Sequence, residues 1–218
     1  MIWADLTIIL TRDWWHNAWQ LFNLSTGRII WNSFLAFIPF ILSFWLFRIA
    51  FSRSLLWWLI LLVFLLFLPN APYILTDSFH LISYAQQDYA KSLIFLVLIP
   101  QYSIFIFIGF QLYVLSLLNL KSYCQQSQLN SAVLPLEITL HFLSAIGIYL
   151  GRFLRLNSWH LITQPQQLFW SLQNLLTKKP LIFISVCFLI IWLLYEINKR
   201  LYNRLSGYNC LSGISTLS

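Results

Sequence analysis

A chain of 218 residues that is 60% apolar and 9% charged lies far from a soluble domain, where charged residues make up about 25%. The composition excludes a soluble globular protein and predicts an integral membrane protein of one domain, with no room for a separate soluble module. The net charge of +7 suits contact with anionic headgroups, but the basic residues stand singly or in pairs between apolar runs, which argues against nucleic acid as a partner.

Residues 1–28 are too polar to span. Met1 is followed by no basic start, so no secretory signal is expected. Trp15, Trp19 and Phe22 share one helical face, and tryptophan favours the headgroup region. The expectation is a short interfacial helix over 12–24. Residues 29–47 then form the first span, bracketed by Arg28 and Arg48, with Pro39 as a kink point. Residues 54–68 form a second, only fifteen residues long and ended by Pro69 and Pro72. At helical rise that is about 22 Å, short of a full crossing, so the break sits slightly below the surface or the helix resumes beyond it.

The run 92–120 is too long for an upright span and predicts tilt or a kink at Pro100. Spans at 136–154 and 181–197 follow. Between them, Thr163, Pro165 and Gln166 read as a helix start, and the leucines from Leu168 to Leu176 give an apolar face. This predicts an interfacial helix over 165–177. Residues 198–218 are basic at first and then polar, and read as a flexible tail. The expected fold is all-α: a polytopic bundle of five transmembrane helices at 29–197 plus short interfacial helices. Cys124, Cys187 and Cys210 form neither a paired framework nor a C-x-x-C arrangement.

Two polar stretches interrupt this apolar background. The first, Leu68-Pro69-Asn70-Ala71-Pro72-Tyr73 followed by Thr76, Asp77 and His80, ends the second span. The second, Gly147-Ile148-Tyr149-Leu150-Gly151-Arg152-Phe153 followed by Arg155, Asn157, Ser158 and Trp159, ends the fourth. An even number of crossings separates them, so both fall on one membrane side. Basic residues divide almost evenly, seven on that side and six on the other. If Arg152 and Arg155 serve a site, the motif side is the periplasmic one.

The two stretches resemble the paired signatures of an uncharacterised bacterial family of multi-pass membrane proteins, classed as a domain of unknown function. The resemblance covers roughly residues 30–197. It implies a helical inner-membrane protein and supplies no activity.

Charges near membrane depth need partners or water. Same-side placement lets Arg152 or Arg155 pair with Asp77. The plainer reading makes Asp77 a helix cap and lets the arginines snorkel to headgroups. Asp77 and His80, three apart, could share a ligand, but two such groups are too few for a metal, and no metal or other cofactor is expected. Gly147 and Gly151 form a small-x-x-x-small pattern suited to close packing against another span, the second among them. Glu137, His141 and Ser144 form a stripe on the fourth span, read as interhelical hydrogen bonding. Tyr73 and Trp159 read as interfacial anchors or ligand contacts.

Three functions stay open. Asn70, Tyr73, Thr76, Asp77, His80, Arg152, Arg155, Asn157 and Trp159 could bind an anionic group such as a lipid headgroup, or dock a membrane-protein partner or second copy. The same residues could serve an enzyme acting on a lipid-linked substrate, with Asp77 or His80 as base. A transporter subunit is third, since the chain has few spans and no evident repeat. No nucleophile–base pair is recognisable, which favours binding.

Overall fold

The computed structural model describes residues 12–50, 52–87, 89–154, 163, 166 and 177–212. Among them there is no strand. Five helical rods are long and apolar enough to cross a membrane: Arg12–Ile49, Leu55–Ala85, Lys91–Gln126, Asn130–Phe153 and Lys178–Leu205. No more than a third of the most apolar stretch of each is buried. The rest points outward, as Leu55, Leu59, Phe107 and Ile182 do. Such a surface is unfavourable in water, at about 25 cal/mol per Å², and at ease in hydrocarbon. The fold is an all-α polytopic membrane bundle.

Helix α1 (Arg12–Phe44) opens the bundle and widens into a π-turn over Trp45–Ile49. It is continuous from Arg12, so residues 12–24 are its first turns rather than a separate helix. Tertiary contacts hold this extension in place. Trp14 Nε1 donates to Ser92 Oγ at 3.0 Å, and Ser25 Oγ donates to Gln101 Oε1 at 3.0 Å. Pro39 lies inside α1 and does not end it.

The second rod resolves the short-span problem. Helix α2 (Leu55–Phe67) starts under a cap in which Ser54 accepts from the Trp57 amide. It is followed by α3 (Asn70–Tyr73), a 3₁₀ turn (Ile74–Asp77) and α4 (Ser78–Ala85). Leu68, Pro69, Ile74 and Asp77 all keep right-handed helical backbone. The prolines therefore tighten the helix without ending it. Pro72 cannot donate to the Leu68 carbonyl, which accepts from the Ala71 amide at 3.3 Å instead. Thirty-one residues reach about 46 Å at helical rise, ample for ~30 Å of hydrocarbon.

The third rod comprises α5 (Lys91–Leu93), a π-turn (Ile94–Leu98) and α6 (Ile99–Gln126). The π-turn directly precedes Pro100, a local widening of the kind a missing donor produces in membrane helices. Helix α7 (Asn130–Phe153) is the fourth rod, and α8 (Lys178–Ser212) the fifth. Helix α8 passes residue 197 without a break. Lys199 and Tyr202 bond to α7 and α6. The helix expected over 165–177 falls almost wholly outside the described residues.

Helix α1 packs on α6, α2 and α3; α7 packs on α8; and α3 is wedged against α1, α6 and α7. Glycines permit the tightest approaches. Gly109 of α6 faces Ile74, and Gly147 of α7 faces Pro69, where an added Cβ would lie 2.6 Å from the proline Cβ. The ends of α1 and α6 are tied together away from the motifs. Arg48 Nε donates to Asn119 Oδ1 at 3.0 Å, and Asn119 Nδ2 donates to Ser43 Oγ at 3.1 Å.

Candidate functional site

Three helices bring polar groups to one level. The chain leaves helix at residues 52–54 and 127–129, at the end of the bundle where Arg53 Nε donates to Tyr123 Oη. Measured from there along their own helices, Arg28, Asp77 and Arg152 each lie roughly 33–35 Å away at 1.5 Å per residue. That is about one hydrocarbon thickness, so all three lie at a similar height in the bundle.

Between them lies a cavity of about 480 Å³. Helix α1 contributes Arg28, Trp31, Asn32 and Leu35. The second rod contributes Leu65 and Leu66, then Pro69, Asn70, Tyr73, Asp77 and His80. Helix α7 contributes Leu143, Ile146 and Gly147, then Leu150 and Gly151. The two motifs meet at this cavity, and the contact of Gly147 with Pro69 sets their spacing.

The hydrogen bonds differ from the expected pairing. Asp77, 1% exposed, accepts from Asn32 Nδ2 at 2.8 Å. Arg152 Nη1 lies 3.0 Å from His80 Nε2 and its guanidinium sits over the Phe79 ring. No Arg152–Asp77 ion pair forms; among the described residues the ion pairs are those of Lys199. A guanidinium only donates, so His80 accepts through Nε2 and carries its proton on Nδ1. Asp77 also makes no side-chain cap on the following helix.

Sequence reasoning missed Arg28 and Asn32. They lie four apart on α1, hence on one face, and both line the cavity. Arg28 Nη1 is buried with no hydrogen-bond partner. An asparagine in the first turns of an apolar span was the available signal, but Arg28 reads equally as the bracket of a span. Of the expected site residues, Asn70, Tyr73, Asp77 and His80 line the cavity, and Arg152 stands at its edge through His80. Thr76 does not line it. It is buried, and its hydroxyl donates to the Tyr73 carbonyl at 2.8 Å. Arg155, Asn157 and Trp159 lie outside the described residues. No three His, Cys, Asp or Glu side chains converge among the described residues.

One family model, described as "Protein of unknown function (DUF1361)", matches residues 31–194. The chain belongs to this family. No curated protein and no solved structure matches it. The part shared with DUF1361 holds both motifs and every residue that lines the cavity except Arg28, which stands just before it.

A second polar cluster, also partly within the DUF1361 segment, lies on α7 away from the cavity. Tyr113 Oη is 2.8 Å from His141 Nδ1 and 3.4 Å from Ser144 Oγ. Tyr195 Oη donates to Glu137 Oε1 at 2.6 Å, and Lys199 pairs with the other carboxylate oxygen. Glu137, His141 and Ser144 thus join α7 to α6 and α8 by interhelical hydrogen bonds. In a medium without water such bonds replace solvation that the groups would otherwise lack.

Proposed function

We propose that the cavity binds an anionic headgroup at one bilayer face. The observation that carries this reading is Arg28 Nη1, a buried donor on the cavity wall without a protein partner. Leaving a buried charged donor unsatisfied costs about 1–3 kcal/mol or more, and an anionic oxygen would relieve that cost. Arg152 supplies a second cation at the same end of the cavity, and Asn70 and Tyr73 supply neutral polar contacts.

An enzyme acting on a lipid-linked substrate is the second reading. Here the geometry narrows the roles, because His80 Nε2 is engaged with Arg152 and Asp77 is left as the base. We place the protein in a bacterial inner membrane with the cavity end outside, since Arg28 and Arg152 are then committed to the site and the other end keeps its full basic set.

The test is lipid retention. The protein purified in mild detergent is analysed by native mass spectrometry with phosphatidic acid, phosphatidylglycerol and phosphatidylcholine. Anionic lipid retained by the wild type, lost in Arg28→Ala and kept in Asp77→Asn supports binding. Equal retention of all three lipids by wild type and Arg28→Ala removes the proposal. Turnover of an added lipid-linked substrate that Asp77→Asn abolishes favours the enzyme.

A further inference from the structure

The cavity is graded along every helix that lines it. On α1, Arg28 and Asn32 are followed inward by Leu35. On the second rod, His80, Asp77, Tyr73 and Asn70 give way inward to Leu66 and Leu65. On α7, Gly151 and Leu150 give way to Ile146 and Leu143. The charged groups lie at the boundary end, Asn32 and Asn70 lie deeper, and the deepest lining residues, Leu65, Leu66 and Leu143, are apolar. A pocket for a free inorganic anion needs no such floor.

The cavity is also open sideways. Trp31, Leu65 and Leu143 line the cavity, yet they are 53%, 37% and 47% exposed. Helices α1 and α7 both rest on α3 but are not a packed pair with each other. A cleft therefore runs between them, with α2 and α3 as its back wall. In a bundle with lipid-facing outer surfaces, that cleft faces acyl chains.

We infer that the ligand is a membrane-resident amphiphile that enters laterally between α1 and α7, its anionic head at Arg28 and its chain leaving through the gap among Trp31, Leu65 and Leu143. This rests on the anion-binding reading and adds the class of ligand and its route. The volume of about 480 Å³ lies within the ~300–1,000 Å³ of pockets for drug-sized ligands. It holds a head and the first part of a chain, so the remainder of the lipid stays in the bilayer. Close packing of the chain against Leu65, Leu66 and Leu143 adds a van der Waals contact that a soluble anion lacks.

The experiment compares four probes on the full chain in detergent: lysophosphatidic acid, glycerol 3-phosphate, inorganic phosphate and lysophosphatidylcholine. Binding is read by native mass spectrometry and calorimetry in wild type, Leu143→Trp and Leu65→Trp, each checked for an unchanged elution profile and helical circular dichroism. The expected result is lysophosphatidic acid at least tenfold tighter than glycerol 3-phosphate, with that advantage lost in either tryptophan variant. If one variant fails to fold, the other carries the comparison, and Trp31→Ala, which widens the gap, is expected to keep the advantage. Glycerol 3-phosphate or inorganic phosphate binding as tightly as the lysolipid, unaffected by the tryptophans, overturns lateral entry and leaves the anion site standing. No binding of any phosphate-bearing probe overturns both. Lysophosphatidylcholine binding equal to lysophosphatidic acid overturns the anion site and leaves only an apolar cleft.

Discussion

Arg152 Nη1 and His80 Nε2 lie 3.0 Å apart, although 72 positions separate them in the chain. The pair ties α7 to α4 at the edge of the cavity, and it fixes the histidine as an acceptor. His80→Phe removes that acceptor and is expected to lower stability by about 1.5–3 kcal/mol, the range for hydrogen bonds to charged groups. His80→Gln, whose amide oxygen can still accept, is expected to retain more than half of it. Denaturant unfolding in detergent, followed by circular dichroism, separates the two variants. Equal losses in both would show that the ring matters by its shape and not by accepting a bond.

Arg28 is expected to split stability from binding. Its Nη1 is buried without a partner, so Arg28→Met removes an uncompensated donor while keeping much of the side-chain packing. The ligand-free protein is expected to be unchanged or stabilised by up to about 1 kcal/mol. Affinity for an anionic lipid is expected to fall at least tenfold. A thermal melt with and without added phosphatidic acid measures both quantities in one series.

Gly147 sets the distance between the motifs. A Cβ at this position would lie 2.6 Å from Pro69 Cβ and 2.8 Å from its Cγ, and a proline ring cannot turn aside. Gly147→Ala is expected to cost about 1–3 kcal/mol as an overpacking change. Gly27, whose added Cβ meets nothing within 4 Å, is the control: Gly27→Ala is expected to be neutral or slightly stabilising, since alanine is the better helix former. Melting temperatures of the two variants decide the point.

The Lys199–Glu137 pair predicts strong non-additivity. The Glu137 side chain is 4% exposed and that of Lys199 15%. Lys199→Met leaves a buried carboxylate held only by Tyr195, and is expected to cost about 3 kcal/mol, at the lower end for breaking a buried pair. Lys199→Met combined with Glu137→Gln is expected to recover most of that loss. A double-mutant cycle measured by denaturant unfolding reads the coupling, and additive losses would contradict it.

Much of this was legible in the residues themselves. Hydropathy over a window of about twenty residues is a local sum, so five spans, the membrane class and the meeting of the two motifs at one end followed from apolar runs and an even count of crossings. Glu137, His141 and Ser144 were legible as a bonding stripe because helical spacing alone puts them on one face. Other features depended on contacts between distant segments. The helix continues through Pro69 and Pro72 because their lost donors are absorbed by 3₁₀ bonding, a choice that packing against Gly109 and Gly147 enforces. Helices α1 and α8 run on past residues 28 and 197 because Ser92, Gln101, Glu137 and Gln111 receive their polar side chains.

The composition of the site was the tertiary structure's decision. Which face a helix turns to its neighbours depends on its rotation about its own axis, and an apolar run carries almost no information on that rotation in a medium as apolar as itself. Packing alone turned Arg28 and Asn32 of α1 inward, gave Asp77 to Asn32 and Arg152 to His80, and sent Thr76 to its own backbone. The chain's chemistry specified that polar groups would gather at one bilayer boundary; only the packing of three helices around α3 chose which of them face the same space.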